Sequence, residues 1–288
     1  MNFNWKKVAV IGGTGNTGKV IAAQLRDAGY MTIVIARTAV NSSPAGIIFR
    51  TADAGGDKAQ LQAALEDVDC VINAAHARYT RNIIAALPSS GTRLITLGST
   101  RKFTRFPDQK AADVSDAEDA HRDAHGNGLI IHPTMIYGGQ DNNIRRLAGL
   151  IRKLPVLPLP LGGQALMQPV HRDDVARAAC TAACKDVGEG PITLPGGQAL
   201  SYREIVTICG EAVGRRPCII AVPASLLGLA APLTGILPFL PTIGPDEVRR
   251  LTEDKDFDVT PAARRLGFTP IGFAEGIARM RAAGELAV

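Results

Sequence analysis

A glycine-rich segment near the start of the chain carries the most specific chemical signal. Gly13, Gly15 and Gly18 satisfy the spacing G-x-G-x-x-G, and Gly12 begins the related spacing G-x-x-G-x-x-G. A short apolar run precedes the segment and a helix-like stretch follows it. Such glycines allow a tight turn, close approach of the backbone to a pyrophosphate, and close packing of helix on strand. We therefore predict a dinucleotide site here. Its residues are Gly12, Gly13, Thr14, Gly15, Asn16, Thr17 and Gly18.

The residue at the end of the second apolar run bears on which dinucleotide binds. Arg37 stands about 20 residues after Gly18, where a carboxylate would bind the ribose hydroxyls of NAD. A guanidinium can hold a 2′-phosphate in bidentate fashion, whereas a carboxylate would repel it. No Asp or Glu lies between Arg37 and Asp53. This pattern predicts that NADP(H) is preferred over NAD(H), the alternative being a solvated arginine at a strand end.

Five further segments share their residue pattern with one known superfamily. They are Thr51-Ala52-Asp53, Asn73-Ala74-Ala75-His76, Leu97-Gly98-Ser99-Thr100, His132-Pro133-Thr134-Met135-Ile136-Tyr137-Gly138 and Val170-His171-Arg172-Asp173-Asp174-Val175-Ala176. Together with the glycine turn they resemble the extended and atypical short-chain dehydrogenase/reductase superfamily, in its NAD-dependent epimerase/dehydratase branch. The resemblance covers most of the chain. It implies additional cofactor contacts from Asp53, Asn73, Ala74, Ala75, Ser99, His132 and Pro133, and substrate contacts from Thr100 and Tyr137.

The resemblance also implies a catalytic Tyr-x-x-x-Lys pair, and the sequence departs from it. None of the four tyrosines has a lysine four residues later. Lys110 has Phe106 at the tyrosine position, where the resemblance would place the ring beside the nicotinamide, but a phenyl ring cannot donate a proton. The catalytic candidates are therefore Ser99, Lys110 and Lys102. Two histidines of the same region, His121 and His125, are further candidates, because a free imidazole titrates near neutrality. Each candidate has a structural alternative, as a strand-end serine, a salt-bridged lysine or a surface histidine.

The elements that must position these residues alternate in type through the first half of the chain. Short β-branched runs predict strands over 7–11, 31–36, 47–50, 70–74, 93–97 and 129–132. Helix-like stretches lie between most of them, over 17–28, 58–65, 79–87 and around 111–124. The runs are apolar almost throughout, which is typical of parallel strands covered on both faces. We predict an α/β fold with a Rossmann-type doubly wound parallel sheet of six or seven strands.

The pattern changes after about residue 140. Closely spaced prolines require an extended chain over 154–160, and Ser201-Tyr202-Arg203-Glu204 has the form of a capping box that opens a helix. We predict an NAD(P)-binding domain over 1–195, with minor excursions into a substrate lobe around 140–168. A smaller, mostly helical substrate-binding lobe is predicted over 196–288.

Composition narrows the classes of function. A hydrophobic fraction of 46% over 288 residues supports a folded core, and a formal charge of +5 from scattered arginines with 5% aromatic residues disfavours nucleic-acid binding. Five cysteines without short pairs disfavour disulfides, and no spacing suggests a metal site. No signal peptide precedes the first apolar run, which predicts a cytoplasmic protein. The apolar stretch 219–243 contains four prolines, which favours short broken helices over a membrane span and leaves peripheral membrane contact as an open alternative.

Two functions of different class fit these observations. The first is an NADPH-dependent oxidoreductase or epimerase-like enzyme that acts on a small carbonyl or sugar-derived substrate with a proton donor other than tyrosine. The alternative is a non-catalytic NADPH-binding protein with a structural or redox-sensing role. The missing tyrosine favours the alternative, whereas Ser99, the lysines and the second lobe favour the enzyme.

Overall fold

The computed structural model describes residues 6–39, 44–124, 128–230 and 245–286. The strands are β1 (Lys7–Ile11), β2 (Met31–Ala36), β3 (Ile47–Thr51), β4 (Cys70–Asn73), β5 (Arg93–Leu97), β6 (Gly128–Pro133), β7 (Ile136–Tyr137), β8 (Val156–Pro160), β9 (Leu166–Met167), β10 (Val170–His171), β11 (Gly190–Leu194), β12 (Leu200–Ser201) and β13 (Cys218–Val222). The helices are α1 (Gly18–Asp27), α2 (Lys58–Leu65), α3 (Thr80–Ala86), α4 (Gln109–Asp123), α5 (Asn142–Lys153), α6 (Arg172–Cys184), α7 (Tyr202–Ala212), α8 (Ala224–Ala230), α9 (Pro245–Arg250), α10 (Thr260–Leu266) and α11 (Phe273–Ala282).

The central sheet has seven parallel strands in the order β11-β6-β5-β4-β1-β2-β3. The predicted Rossmann-type fold is therefore confirmed. In the register of the sheet, Ile11 at the end of β1 lies opposite both Ile35 of β2 and Asn73 of β4. The carboxyl ends of these strands thus share one edge, where such sheets bind their ligands.

Alternation along each strand divides the core between the two faces of the sheet. Val8 and Val10 of β1 pack on the side of α1 and α6, whereas Ala9 and Ile11 pack on the side of α2 and α3. Successive side chains of a strand point to opposite faces, so an apolar run such as β1 can anchor two helical layers at once.

A second apolar cluster lies outside the sheet. It is built from α5, β8, α7 and α11, and it includes the fully buried Tyr137. Residues 142–167 thus join the segments 200–213 and 273–286, while Ala262, Leu266 and Phe268 pack against the sheet. The chain therefore passes between the sheet and the second cluster several times, and the domain boundary at residue 195 stays a prediction.

Two predictions fall partly or wholly outside the part of the chain that the structure describes. The apolar stretch 219–243 is described only as far as residue 230, where it forms most of β13 and all of α8. His125 lies outside the described residues. Among the helices that the structure describes, none is long and apolar enough to cross a membrane.

Candidate active site

The glycine turn between β1 and α1 has a backbone that only glycine fits at two positions. Gly12 adopts a φ of +76°, and a Cβ on it would lie 2.9 Å from the Cα of Ala75. A Cβ on Gly18 would lie 2.2 Å from the carbonyl oxygen of Gly12. The turn closes through the amide of Gly15, which donates to that carbonyl at 2.9 Å. Thr14 and Gly15 are exposed beside the positive end of α1, as a pyrophosphate site requires.

The side chain of Asn16 anchors this turn to the neighbouring loop. Its Nδ2 donates to the carbonyl of Gly138 at 2.8 Å, and its Oδ1 accepts from the amide of Gln140 and from Arg172 Nη1, each at 3.0 Å. Arg172 in turn pairs with Glu285 at 3.0 Å. The side chain of Asn16 therefore ties the turn to the loop after β7, and its contact with a cofactor stays a prediction.

The predicted adenosine end lies at the ends of β2 and β3. Arg37 directly follows β2 and is exposed, with no hydrogen bond or ion pair to any residue that the structure describes. Asp53 follows β3 and accepts a hydrogen bond from the amide of Gly55 at 2.9 Å. Its carboxylate is thus already used to shape the turn, whereas the Arg37 guanidinium is available to an anion.

The segment after β4 completes the wall of the turn. Asn73 is buried; its Oδ1 accepts from the amide of Ala75 at 3.1 Å and its Nδ2 donates to the carbonyl of His76 at 3.3 Å. The amide of Ala74 donates to the carbonyl of Ile11 at 2.9 Å. These bonds hold Ala75 against Gly12, which explains the small residues of this segment.

Ser99 stands at the end of β5, and a buried network lies behind it. The Ser99 amide donates to Nδ1 of His132 at 3.3 Å, and Nε2 of His132 lies 2.9 Å from Glu118 Oε2. Lys102 pairs with the same carboxylate oxygen. Burial lowers the pKa of His132. Because the Ser99 amide donates to Nδ1, the ring proton lies on Nε2, which donates to Glu118. Burial alone would raise the pKa of Glu118, but the bonds from Lys102 and His132 outweigh it and lower that pKa.

A cleft of about 860 Å³ opens in front of Ser99. It lies between the ends of β5 and β6 on one side and residues 247–257 on the other. Of the predicted residues it brings together Ser99, Thr100, Lys110 and Pro133. Phe103 and Phe257 also line the cleft, with their ring centroids 5.8 Å apart.

Two residues of the far wall have no sequence signal. Glu253 is buried and accepts hydrogen bonds from Thr104 Oγ1 at 2.7 Å and from the amide of Arg105 at 2.5 Å. Lys255 donates to the carbonyl of Arg250 at 2.8 Å, and burial lowers its pKa. Both belong to the mixed-charge run Glu253-Asp254-Lys255-Asp256, a pattern that predicts a solvated loop. Only the pairing of this run with the loop after β5 makes them part of the cleft.

Two predicted catalytic positions lie away from the cleft. The Lys102 ammonium faces Glu118, because that carboxylate lies between it and His132. Phe106 is half-buried in the loop before α4 and does not line the cleft. Asp108 caps α4 by accepting from the amide of Ala111 at 3.1 Å, so the helix begins after Phe106. The Phe106 ring therefore does not line the cleft, and its equivalence to the family tyrosine stays a prediction.

Two further candidates point away from the cleft. Tyr137, predicted to contact substrate, is fully buried with its ring centroid 5.1 Å from that of His171 and 5.0 Å from that of Phe273. Packing by α11 encloses this side chain, and burial raises its pKa. Nε2 of His121 lies 2.9 Å from Thr96 Oγ1, and burial lowers the pKa of His121 to about 4. Neither side chain lines the cleft.

Comparison with known proteins supports a nucleotide-binding site at the glycine turn. Residues 7–138 match the family described as semialdehyde dehydrogenase, NAD binding domain. An uncharacterized protein of Mycobacterium tuberculosis is 29% identical over 216 residues, which cover 71% of this chain and 23% of that protein. The chain thus spans about a quarter of the length of the first relatives it matches.

A relative of similar length and a solved structure extend the likeness to the whole chain. The dTDP-6-deoxy-L-talose 4-dehydrogenase (NAD(P)(+)) of Kitasatospora kifunensis is 26% identical over 312 residues, covering 92% of this chain and 91% of that protein. The UDP-glucose 4-epimerase of Thermus thermophilus, solved in complex with NAD, superposes with a TM-score of 0.72 at 18% identity, covering 98% of this chain and 100% of that one. With its seven-stranded sheet and glycine turn, this chain is similar in fold to the extended short-chain dehydrogenases/reductases, and its first half matches an NAD-binding domain.

Proposed function

We propose that this protein is an NADPH-dependent reductase or epimerase-like enzyme for a small carbonyl or sugar-derived substrate. The observation that carries the proposal is the cleft in front of Ser99, which gathers a hydroxyl, the two lysines Lys110 and Lys255, and an aromatic wall at the carboxyl ends of β5 and β6. This edge of the sheet is where a dinucleotide held at the glycine turn would present its reacting end.

The residues of the turn fit a dinucleotide. A Cβ on Gly12 or Gly18 would collide with backbone, so these glycines let the turn close tightly. The closed turn leaves Thr14 and Gly15 exposed where a pyrophosphate would bind. Arg37 would hold the 2′-phosphate of NADPH, since its guanidinium has no partner among the described residues. A bound nicotinamide dinucleotide supplies or accepts the hydride.

Ser99 is suited to orient the substrate oxygen. Its amide is fixed by His132, and its Oγ accepts a hydrogen bond from the amide of Arg101 at 3.1 Å. The hydroxyl proton therefore remains available to donate to a carbonyl or alkoxide oxygen. Phe103 and Phe257 present apolar surface to the cleft and would exclude water from the reacting atoms.

A lysine would then serve as the proton donor in place of tyrosine. Lys255 suits this role better than Lys110, because burial lowers the pKa of Lys255 and makes its ammonium a stronger acid. Lys110 also lines the cleft, but it is exposed. The likeness to dTDP-6-deoxy-L-talose 4-dehydrogenase supports a sugar-derived carbonyl as substrate.

The test is NADPH oxidation with a panel of aldehydes, ketones and keto-sugar nucleotides. We expect turnover of at least one member, a loss of roughly 10²–10⁴-fold in kcat for Lys255→Met, and a loss of at least tenfold for Ser99→Ala. Lys58→Met, at an exposed lysine on α2, is the control and should retain full activity. Tight retention of NADPH without turnover of any carbonyl would favour the non-catalytic NADPH-binding protein instead.

A further inference from the structure

Exposed apolar side chains are concentrated at one two-stranded ribbon outside the central sheet. Among the described residues seven large apolar side chains are exposed, and four of them lie on or beside the two-stranded ribbon of β8 and β13. These four are Val156, Leu161, Ile220 and Leu226, and we refer to them as the ribbon surface. Scattered apolar residues are ordinary on a protein surface, but a cluster of this kind indicates an interaction site.

The register of the ribbon shows why its outer face is apolar. Val156 lies opposite Cys218 and Ile220 opposite Pro158 in a parallel pair. Leu157 and Leu159, which alternate with these residues on β8, are buried in the second apolar cluster. A half-exposed strand normally alternates apolar with polar residues, whereas here both faces are apolar.

Leu161 is held on this surface in a conformation that leucine rarely adopts. Its φ is +52° and its side chain is 61% exposed, in a turn that continues through Gly162 and Gly163, also at positive φ. Arg203 Nε fixes the turn by donating to the carbonyl of Gly162 at 3.1 Å. A bulky residue kept at positive φ and directed to solvent is unfavourable for an isolated fold, so this position favours contact with an apolar partner.

The charges around the ribbon surface indicate which partner. No Asp, Glu, Lys or Arg occurs in 154–171 or in 217–245, the two runs that contain β8, β13 and α8. Lys153, Arg215 and Arg216 stand just before the strands, at the same end because the pairing is parallel. All three are exposed, and none forms an ion pair within the part of the chain that the structure describes.

We propose that the ribbon surface docks on a bilayer that contains anionic lipid. Apolar side chains would enter the boundary between headgroups and acyl chains, while the three cations would bind lipid phosphates at its edge. A bilayer has an apolar layer next to a layer of phosphates, which matches an apolar ribbon with cations at one end. A protein partner would not require the apolar residues and the cations to be separated in this way. The contact is peripheral and independent of the proposed reaction.

The test is sedimentation of the full chain with sucrose-loaded vesicles. Vesicles of phosphatidylcholine with phosphatidylglycerol should carry the protein down, and vesicles of phosphatidylcholine alone should carry much less. Replacing Lys153, Arg215 and Arg216 by Gln should weaken partitioning about fivefold for each cation removed. Leu161→Ser should weaken it roughly tenfold, because less apolar surface enters the bilayer.

Matched variants keep the test specific. Met31→Ser and Ile48→Ser remove exposed apolar side chains from the sheet domain and should leave partitioning unchanged. Thermal melts establish that each variant is folded. Equal binding to neutral and anionic vesicles, or no loss with Leu161→Ser, would overturn the proposal. A concentration-dependent dimer that Ile220→Ser abolishes would instead assign the ribbon surface to a second copy of the chain.

Discussion

Replacing Gly18 by Ala should disrupt the turn on which the proposed cofactor site depends. The added Cβ would lie 2.2 Å from the carbonyl oxygen of Gly12, more than 1 Å inside an ordinary contact of 3.4–4 Å. The obstacle is backbone, held by the bond from the Gly15 amide, so it cannot rotate away as a side chain would. Overpacking of this kind costs about 3 kcal/mol of unfolding free energy.

The same overlap should cost more free energy in NADPH binding than in unfolding. Relief of the contact must move the turn, and loss of two hydrogen bonds to a charged phosphate removes about 3–6 kcal/mol, which is at least a hundredfold in Kd. Denaturant unfolding and a fluorescence titration of NADPH measure the two effects. Gly228→Ala in α8 is the control, since its Cβ meets no atom within 4 Å and should add up to about 1 kcal/mol of stability. A Gly18→Ala protein with normal stability and NADPH affinity would refute the reasoning.

Four other substitutions test separate parts of the structure. Arg37→Ala should weaken NADPH about 10–100-fold and leave NADH nearly unchanged by titration, and equal losses would contradict its role at the 2′-phosphate. Glu253→Ala should lower the unfolding free energy by about 3 kcal/mol, because two hydrogen bonds to a buried carboxylate are lost; a change below about 0.5 kcal/mol would contradict this. His121 has a folded pKa of about 4, below its unfolded value of 6.5, so the unfolded state takes up the proton first as pH falls. The unfolding free energy should therefore fall by about 3 kcal/mol as the pH is lowered from 6.5 to 4. His121→Gln should make this pH dependence weaker in denaturant titrations. Phe106→Tyr should leave turnover unchanged, since the ring does not line the cleft, and faster NADPH oxidation would show otherwise.

Local sequence was sufficient for the sheet and the turn. The predicted strands 7–11, 31–36 and 93–97 match β1, β2 and β5 residue for residue. Runs that are apolar throughout and bounded by turn residues leave few alternatives to a strand buried on both faces. The glycine spacing was equally informative, because the close contacts of Gly12 and Gly18 exclude any side chain.

The cleft could be predicted only in part, because tertiary pairing decides which side chains reach it. Lys102 and Lys110 look alike in sequence, yet Glu118 draws the first of them away from the cleft. Glu253 and Lys255 reach the cleft from a loop more than a hundred residues after Lys110 in the chain. The sequence around them contains no motif that predicts this contact. Tyr137 matches the family pattern, but its burial depends on α11, which lies near the other end of the chain.

The most direct test of the central claim is a crystal structure of the protein with NADP⁺. We predict density for the pyrophosphate at the glycine turn, for the 2′-phosphate within hydrogen-bond distance of the Arg37 guanidinium, and for the nicotinamide ring at the mouth of the cleft beside Ser99. A dinucleotide whose nicotinamide lies away from Ser99, or whose 2′-phosphate has no contact with Arg37, would contradict the claim.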